Sequence, residues 1–437
     1  MKKENGAIKL ITLVSAILIL ILVLFAVFIW QRIKMNKMSS NNISSKSTGN
    51  ETKKEEEDEK LTEIKIQTES DFTYSFLKLE NKKTNMIYSP LSIKYGLKML
   101  QEGAEGTTYT QINDVVGNLK LPTYKNVQNS LSLANGIFIK DTFFNAVKQT
   151  YKDTLTNKYN AEIMQDKFEN PNNINKWIEN KTLGIIKDML KPSDISPDTQ
   201  LALINALAID MEWDEQFDAK DTYGNTFYLT NNKQMQATTM SKETTSEGVS
   251  YYLGKDITAL TMDLKEYDGT KLEFLAIMPN ENLSEYIRLL TNDEINKIDK
   301  NLKLASKEKA GVKITIPKFS YEYDLNFKED LMKLGISDAF SENTAKFSNI
   351  ANVPLYVSKA LHKANIDFTE KGIKAAAVTV FTMDENAMIM EQKPVEVNIN
   401  KPFLFLIRDK QTKEVWFTGT VFEPNSWNND KAEYEIR

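Results

Sequence analysis

Hydrophobic and polar positions divide this chain into three regions of unlike character. Leu10 to Trp30 is an unbroken uncharged run of 21 residues in which only Thr12 and Ser15 are polar. A helix of that length spans a bilayer core. A cleaved signal has a shorter apolar stretch ending in small residues, whereas this run ends in Phe28-Ile29-Trp30. Residues 1–37 therefore read as an N-terminal transmembrane anchor with its span at 10–30, and secretion after signal cleavage is the alternative. Residues 38–67 are rich in Ser, Asn, Lys and Glu, including the run Lys53 to Lys60. They lack the apolar surface that would offset the entropy of folding, and read as a flexible polar stalk.

From residue 68 the pattern becomes globular. Asn170-Pro171 precedes Ile174, Trp177, Ile178 and Ile185, a helix start with one apolar face. Leu201 to Ile209 is almost wholly apolar and predicts a strand covered on both faces. Val312, Ile314 and Ile316 alternate with Lys313 and Thr315, as in a half-buried strand. Phe403 to Ile407 and Val415 to Val421 predict two late strands. Helices dominate early and strands late, so the expected class is one mixed α+β domain over residues 68–424. Residues 425–437 form a C-terminal tail with no assigned role.

Composition removes several classes of function. There is no cysteine among the 437 residues. Disulfides, thiolate nucleophiles, Cys-based zinc sites and a lipid anchor on an N-terminal cysteine are thereby excluded. The formal net charge of −5 gives no basic nucleic-acid surface. Neither a Gly-x-Ser-x-Gly elbow nor a phosphate loop is present. Asp214, Asp218 and Asp221 lack the spacing of a calcium loop. His362 is the one histidine, so any histidine-based hydrolysis would have to use it. It sits in His-Lys-Ala without a nucleophile motif, and a hydrogen-bonded structural imidazole is the better reading. No catalytic residue, metal or cofactor is expected.

A series of segments occurs in a particular order. They include Asn85-Met-Ile-Tyr-Ser89-Pro90-Leu-Ser92-Ile93, Gly103-Ala-Glu-Gly106-Thr-Thr, Leu133-Ala-Asn135-Gly-Ile-Phe138 and Leu203-Ile-Asn205-Ala206 leading to Trp213. Ile316-Pro-Lys318-Phe319, His362-Lys-Ala364, Glu370-Lys-Gly372-Ile-Lys-Ala375-Ala376-Ala377-Val-Thr379, Lys401-Pro-Phe403 and Gly419-Thr-Val-Phe-Glu-Pro424 follow. Each is weak alone; together and in order they resemble the serpin family of serine protease inhibitors, of the bacterial type. The resemblance implies three β-sheets, eight or nine helices and an exposed reactive loop.

It also implies roles. Glu370, Gly372, Ile373, Ala375, Ala376, Ala377 and Thr379 correspond to the loop hinge. Ser89, Ser92, Asn205 and His362 match a polar shutter beneath the central sheet, and Trp213 matches the breach at its top. The implied activity is that of a suicide substrate. A protease cuts the loop, which then inserts into the sheet and carries the acyl-enzyme with it. Counting from Glu370 puts the reactive bond at Asn386–Ala387, with Glu385 or Met388 as neighbouring choices. The target is a protease of serine type, with cysteine-type enzymes as further candidates. A monomer outside the cell, held to the membrane through Leu10–Trp30, completes the expectation. A non-inhibitory binding module on the same fold is the alternative.

The residues themselves suit insertion. If Ile373 points into a sheet, so do Ala375, Ala377, Thr379, Phe381 and Met383, and that row carries no charge. Lys374 and Asp384 fall on the outward row, which matters because burying an unpaired charge costs several kcal/mol. No proline lies between Glu370 and Lys393, so every backbone N–H there can donate.

Overall fold

The computed structural model describes residues 69–117, 119–196, 198–230, 233–373 and 393–427. The chain enters through α1 (Glu69–Leu79), β1 (Met86–Tyr88), α2 (Pro90–Gly103) and α3 (Gly106–Val116). Next come β2 (Leu131–Lys140), α4 (Gln149–Tyr159), β3 (Ala161–Asp166), α5 (Asn172–Lys181), β4 (Leu201–Ile209) and β5 (Met211–Glu212). Strands β6 (Thr222–Tyr228), β7 (Gln234–Thr244), β8 (Val249–Leu253), β9 (Ile257–Asp263) and β10 (Leu272–Pro279) lead to α6 (Leu283–Leu289) and α7 (Asn292–Asn301). Then follow β11 (Lys303–Leu304), β12 (Val312–Pro317), β13 (Phe319–Asn326), α8 (Lys328–Lys333), β14 (Leu361–Phe368) and β15 (Gly372–Ile373). The order closes with β16 (Val395–Asn398), β17 (Phe403–Asp409) and β18 (Val415–Val421). The result is a mixed α+β fold with eight α-helices among the described residues.

The late strands are the inner strands of a seven-stranded sheet, in the order β1-β18-β17-β10-β9-β8-β11. Every residue of β10, β17 and β18 is buried, which accounts for their nearly continuous apolar sequence. Strand β12 is more buried than its alternation predicts. It lies between β16 and β7 in a four-stranded sheet, β16-β12-β7-β6, and Thr315 is buried along with Ile314 and Ile316. Helix α2 begins where the sequence signals it: the Ser89 hydroxyl caps it by accepting from Ser92 N–H, and Pro90 takes the first turn.

The remaining strands belong to a central sheet that is parted. One portion runs β3-β2-β4 and the other β13-β14-β15-β5. Strands β4 and β5 are one line of chain, interrupted at Asp210, whose N–H turns to Ser130 O at 2.8 Å. At the β5 end, the two-residue β15 bridges the portions, pairing with β14 on one side and β5 on the other. Below it, no backbone pairing joins β4 to β14 among the described residues. Helix α5 covers the outer face of β2 and β4, where Ile174 and Ile178 pack with Phe138 and Ile204. The opposite face meets the main core, which includes Leu207, Ile209, Ala364 and Ile366.

Among the described residues no helix is long and apolar enough to cross a membrane. The predicted span Leu10–Trp30 and the stalk 38–67 lie outside the described residues, as do 428–437 of the tail.

Candidate functional site

The bridge across the parted sheet is the beginning of the predicted hinge. The chain leaves β14 at Phe368 and turns tightly, with Thr369 N–H donating to Gly372 O at 3.0 Å. Glu370 is 8% exposed, and each of its carboxylate oxygens has a partner. The Thr222 hydroxyl donates to Oε1 at 2.8 Å, and Lys318 Nζ lies 3.3 Å from Oε2. Its carbonyl accepts from Phe217 N–H at 2.9 Å, and the carbonyl of Lys371 accepts from Trp213 N–H at 2.8 Å. The Trp213 indole N–H donates to Thr369 O at 2.9 Å. Trp213 is buried against Phe274 and Phe368, with ring centroids 6.0 and 5.2 Å away. Trp213 thus grips the turn that feeds the hinge through both backbone and indole.

Gly372 and Ile373 pair with Glu212 and Met211. Close approach explains the glycine: a Cβ at 372 would stand 2.2 Å from Met211 O. Ile373 is buried at 3% exposure, so the first residue of the predicted inward row points into the core. Ala375, Ala376, Ala377, Thr379, and the reactive-bond residues Asn386 and Ala387, lie outside the described residues.

Beneath Ile373 the seam between the two portions holds a cavity of about 180 Å³. Leu207, Ala208 and Ile209 of β4 line one side, and Ala364 to Asp367 of β14 the other. Ile185 and Ile186, which follow α5, also line it. Asn365 Nδ2 donates to Ile185 O at 3.0 Å, tying this crossing segment to β14. The seam is a largely apolar opening, and below the Phe368–Ile373 pair no backbone pairing joins β4 to β14 among the described residues.

Three polar residues meet where α2 begins: Ser89, Ser92 and His362 of β14. Ser89 and Ser92 are buried at the start of α2. Ser89 N–H donates to His362 Nε2 at 3.0 Å, which requires that nitrogen to be unprotonated. Burial pushes the imidazole pKa down to about 4. His362 belongs to the same pleat row as the buried Ala364, Ile366 and Phe368.

Asn205, expected in this group, hydrogen-bonds to Asn135 instead. Its Nδ2 donates to Asn135 Oδ1 at 2.7 Å, and Asn135 Nδ2 donates to Tyr159 O at 2.8 Å. Asn205 Oδ1 is buried and accepts no hydrogen bond among the described residues. Sequence reasoning named Ser89, Ser92 and His362 together, and the structure brings them together. It missed Asn135 as the partner of Asn205, and Lys318 and Thr222 as the partners of Glu370. Lys318 stood within the quoted Ile316–Phe319 motif, so a signal was present; Thr222 carried none. Among the described residues no group of three or more metal-ligating side chains is placed to hold an ion.

Comparison with known proteins agrees with this geometry. A family model described as serpin (serine protease inhibitor) matches residues 67–424. An uncharacterised serpin-like protein of Methanosarcina acetivorans is 30% identical over 377 residues, covering 81% of this chain and 85% of that protein. A serine protease inhibitor of Cyanea capillata is 29% identical over 373 residues, covering 80% of this chain and 95% of that one. The crystal structure of a thermophilic serpin, tengpin, in the native state superposes with a TM-score of 0.67 at 28% identity, covering 83% of this chain and 96% of that chain. With the family match spanning most of its length and the hinge seated above a parted sheet, this chain belongs to the serpin family, whose members are in general protease inhibitors rather than catalysts.

Proposed function

We propose that this protein inhibits serine-type proteases as a suicide substrate, with cysteine-type proteases as further targets of the same chemistry. The protease nucleophile attacks the carbonyl carbon of Asn386. The bond to Ala387 N breaks, the new amine takes a proton, and the hinge-side chain is left esterified to the enzyme. The freed segment then enters the seam between β4 and β14, drawing the acyl-enzyme along before water can release it.

The observation that carries this reading is the seam itself, with the hinge already paired at one end through Gly372 and Ile373. About ten inserted residues, each bonded to neighbours on both sides, would add on the order of ten to twenty hydrogen bonds. At about 1 kcal/mol net apiece that is roughly 10–20 kcal/mol before entropy costs. A gain of that size rivals the stability of a whole domain, enough to make the change one-way. The uncharged inward row lets the segment enter without burying a charge.

The same proposal places the molecule at the cell membrane. Leu10–Trp30 is a retained single span, residues 38–67 are a stalk, and the inhibitory domain of residues 68–424 lies outside as a monomer. Protease shaving of intact cells that leaves the domain untouched would overturn that orientation. A mature protein beginning after residue 30 would mean signal cleavage.

The inhibition test is direct. The soluble domain, incubated with a panel of serine and cysteine proteases, is expected to form an SDS-stable adduct with at least one of them. Cleavage without an adduct, and without a large rise in heat resistance, would refute inhibition and favour a surface binding module. Ala375→Arg places a charge on the inward row and is expected to convert the inhibitor into a substrate. Retained trapping would refute the row.

A further inference from the structure

The family match ends at residue 424, yet the three residues beyond it are firmly built into the structure. Asn425 N–H donates to Lys318 O at 3.0 Å, while Asn425 Oδ1 accepts from Ser320 N–H at 3.1 Å. Asn425 O accepts from Thr238 N–H at 3.0 Å, and Thr238 O accepts from Lys318 N–H at 2.8 Å. These bonds tie the β12–β13 junction to β7, with Lys318 at their centre. Ser426 continues as a bridge to Ala237 of β7. Trp427 then lays its indole against Gly224 of β6, so closely that a Cβ at 224 would stand 2.8 Å from the ring.

Two side chains that hold the Glu370 carboxylate rise from the backbone pinned in this way. Lys318, 3.3 Å from Oε2, is the residue Asn425 brackets. Thr222, whose hydroxyl donates to Oε1 at 2.8 Å, lies two residues before Gly224 on β6. We propose that Asn425–Trp427 is an intramolecular clamp. By fixing Lys318 and Thr222 around Glu370, it holds the hinge at the depth of Gly372–Ile373 and sets how readily the following residues enter the seam. The control of entry rests on the insertion reading of function; the grip on the hinge does not.

Native-state hydrogen exchange on the full domain tests the grip without a protease. Trp427→Ala removes the indole. Gly224→Ala leaves the indole in the sequence but displaces it with a methyl group, and Gly224 is outside the left-handed region, so the backbone accepts alanine. The Thr238 amide reports the clamp, and the Trp213 and Phe217 amides report the hinge. In both variants all three are expected to exchange about tenfold faster, while the Leu275 amide in the seven-stranded sheet keeps its rate. Faster exchange at Thr238 with Trp213 and Phe217 unchanged would overturn the proposal, reducing the segment to surface packing. Unchanged rates at all three would overturn it as well. Should Trp427→Ala fold poorly, Gly224→Ala decides alone. A protein that traps no protease but shows the expected exchange keeps the clamp and loses only the inhibitory reading.

Discussion

Gly372→Ala is the sharpest perturbation of the hinge, because the obstacle it meets is backbone. The new methyl would lie 2.2 Å from Met211 O and 2.7 Å from Glu212 Cα, where no side-chain rotation can relieve the overlap. One response lifts the hinge out of the sheet. That breaks the Trp213–Lys371 and Phe217–Glu370 hydrogen bonds, 2.8 and 2.9 Å long, at about 1 kcal/mol each. It also uncovers Ile373, now 3% exposed, at about 1.5–3 kcal/mol. The other response spreads β5 from β15, and overpacking of this kind costs about 1–3 kcal/mol. The cheaper route sets the outcome, so the hinge should be destabilised by about 1–3 kcal/mol. In native-state exchange followed by mass spectrometry, the Trp213 and Phe217 amides are then expected to exchange roughly five- to 150-fold faster. A change below about threefold at both amides would refute the idea that contact with β5 seats the hinge.

Other tests address the polar residues. His362 is held neutral by burial, with a pKa near 4 against an ordinary 6.5. The unfolded chain takes up this proton below about pH 6.5 and the folded one only near 4, so stability is full above that window and falls through it, by up to about 3 kcal/mol. His362→Gln is expected to flatten this loss in urea titrations at pH 7 and pH 5, and an unchanged slope would count against it. His362→Ala leaves Ser89 N–H without its acceptor, and a cost of about 1–3 kcal/mol at pH 7 is expected; an unaltered urea midpoint would contradict the bond. Asp330 has the opposite sign. Burial, and then the charge of Glu80, raise it to about 6, so the folded state gains stability as pH falls from 6 toward the unfolded value. Asp330→Asn is expected to stabilise by about 1–2 kcal/mol at pH 8 and by roughly a third of that at pH 4.5, measured by the same titrations.

Much of the scaffold was legible in the sequence, because burial leaves a local pattern. The apolar runs at Leu201–Ile209, Phe403–Ile407 and Val415–Val421 became β4, β17 and β18, and Asn170-Pro171 does precede a helix. Side-chain partnerships were less legible, because they join positions far apart in the chain. Asn205 and Asn135 are 70 residues apart, and Thr222 and Glu370 are 148 apart. Periodicity along one strand cannot say which strand lies beside it. The reason for Gly372 was hidden in the same way, since the group that excludes a side chain belongs to β5. Asn425–Trp427 gave no signal because its anchoring is mostly backbone bonding, which any residue can provide.

The unpaired flanks of β4 and β14 also bear on how the molecule folds. No backbone pairing joins β4 to β14 below β15 among the described residues, so an arrangement of the same chain that fills the seam would be more fully hydrogen-bonded. The pairing of β14 with β15 closes only the short turn Thr369–Gly372, so it is expected to form before the longer segment that follows could enter the seam. Refolding from denaturant becomes a race between these routes. The yield of active protein would depend on temperature and dwell time, and not on final stability alone.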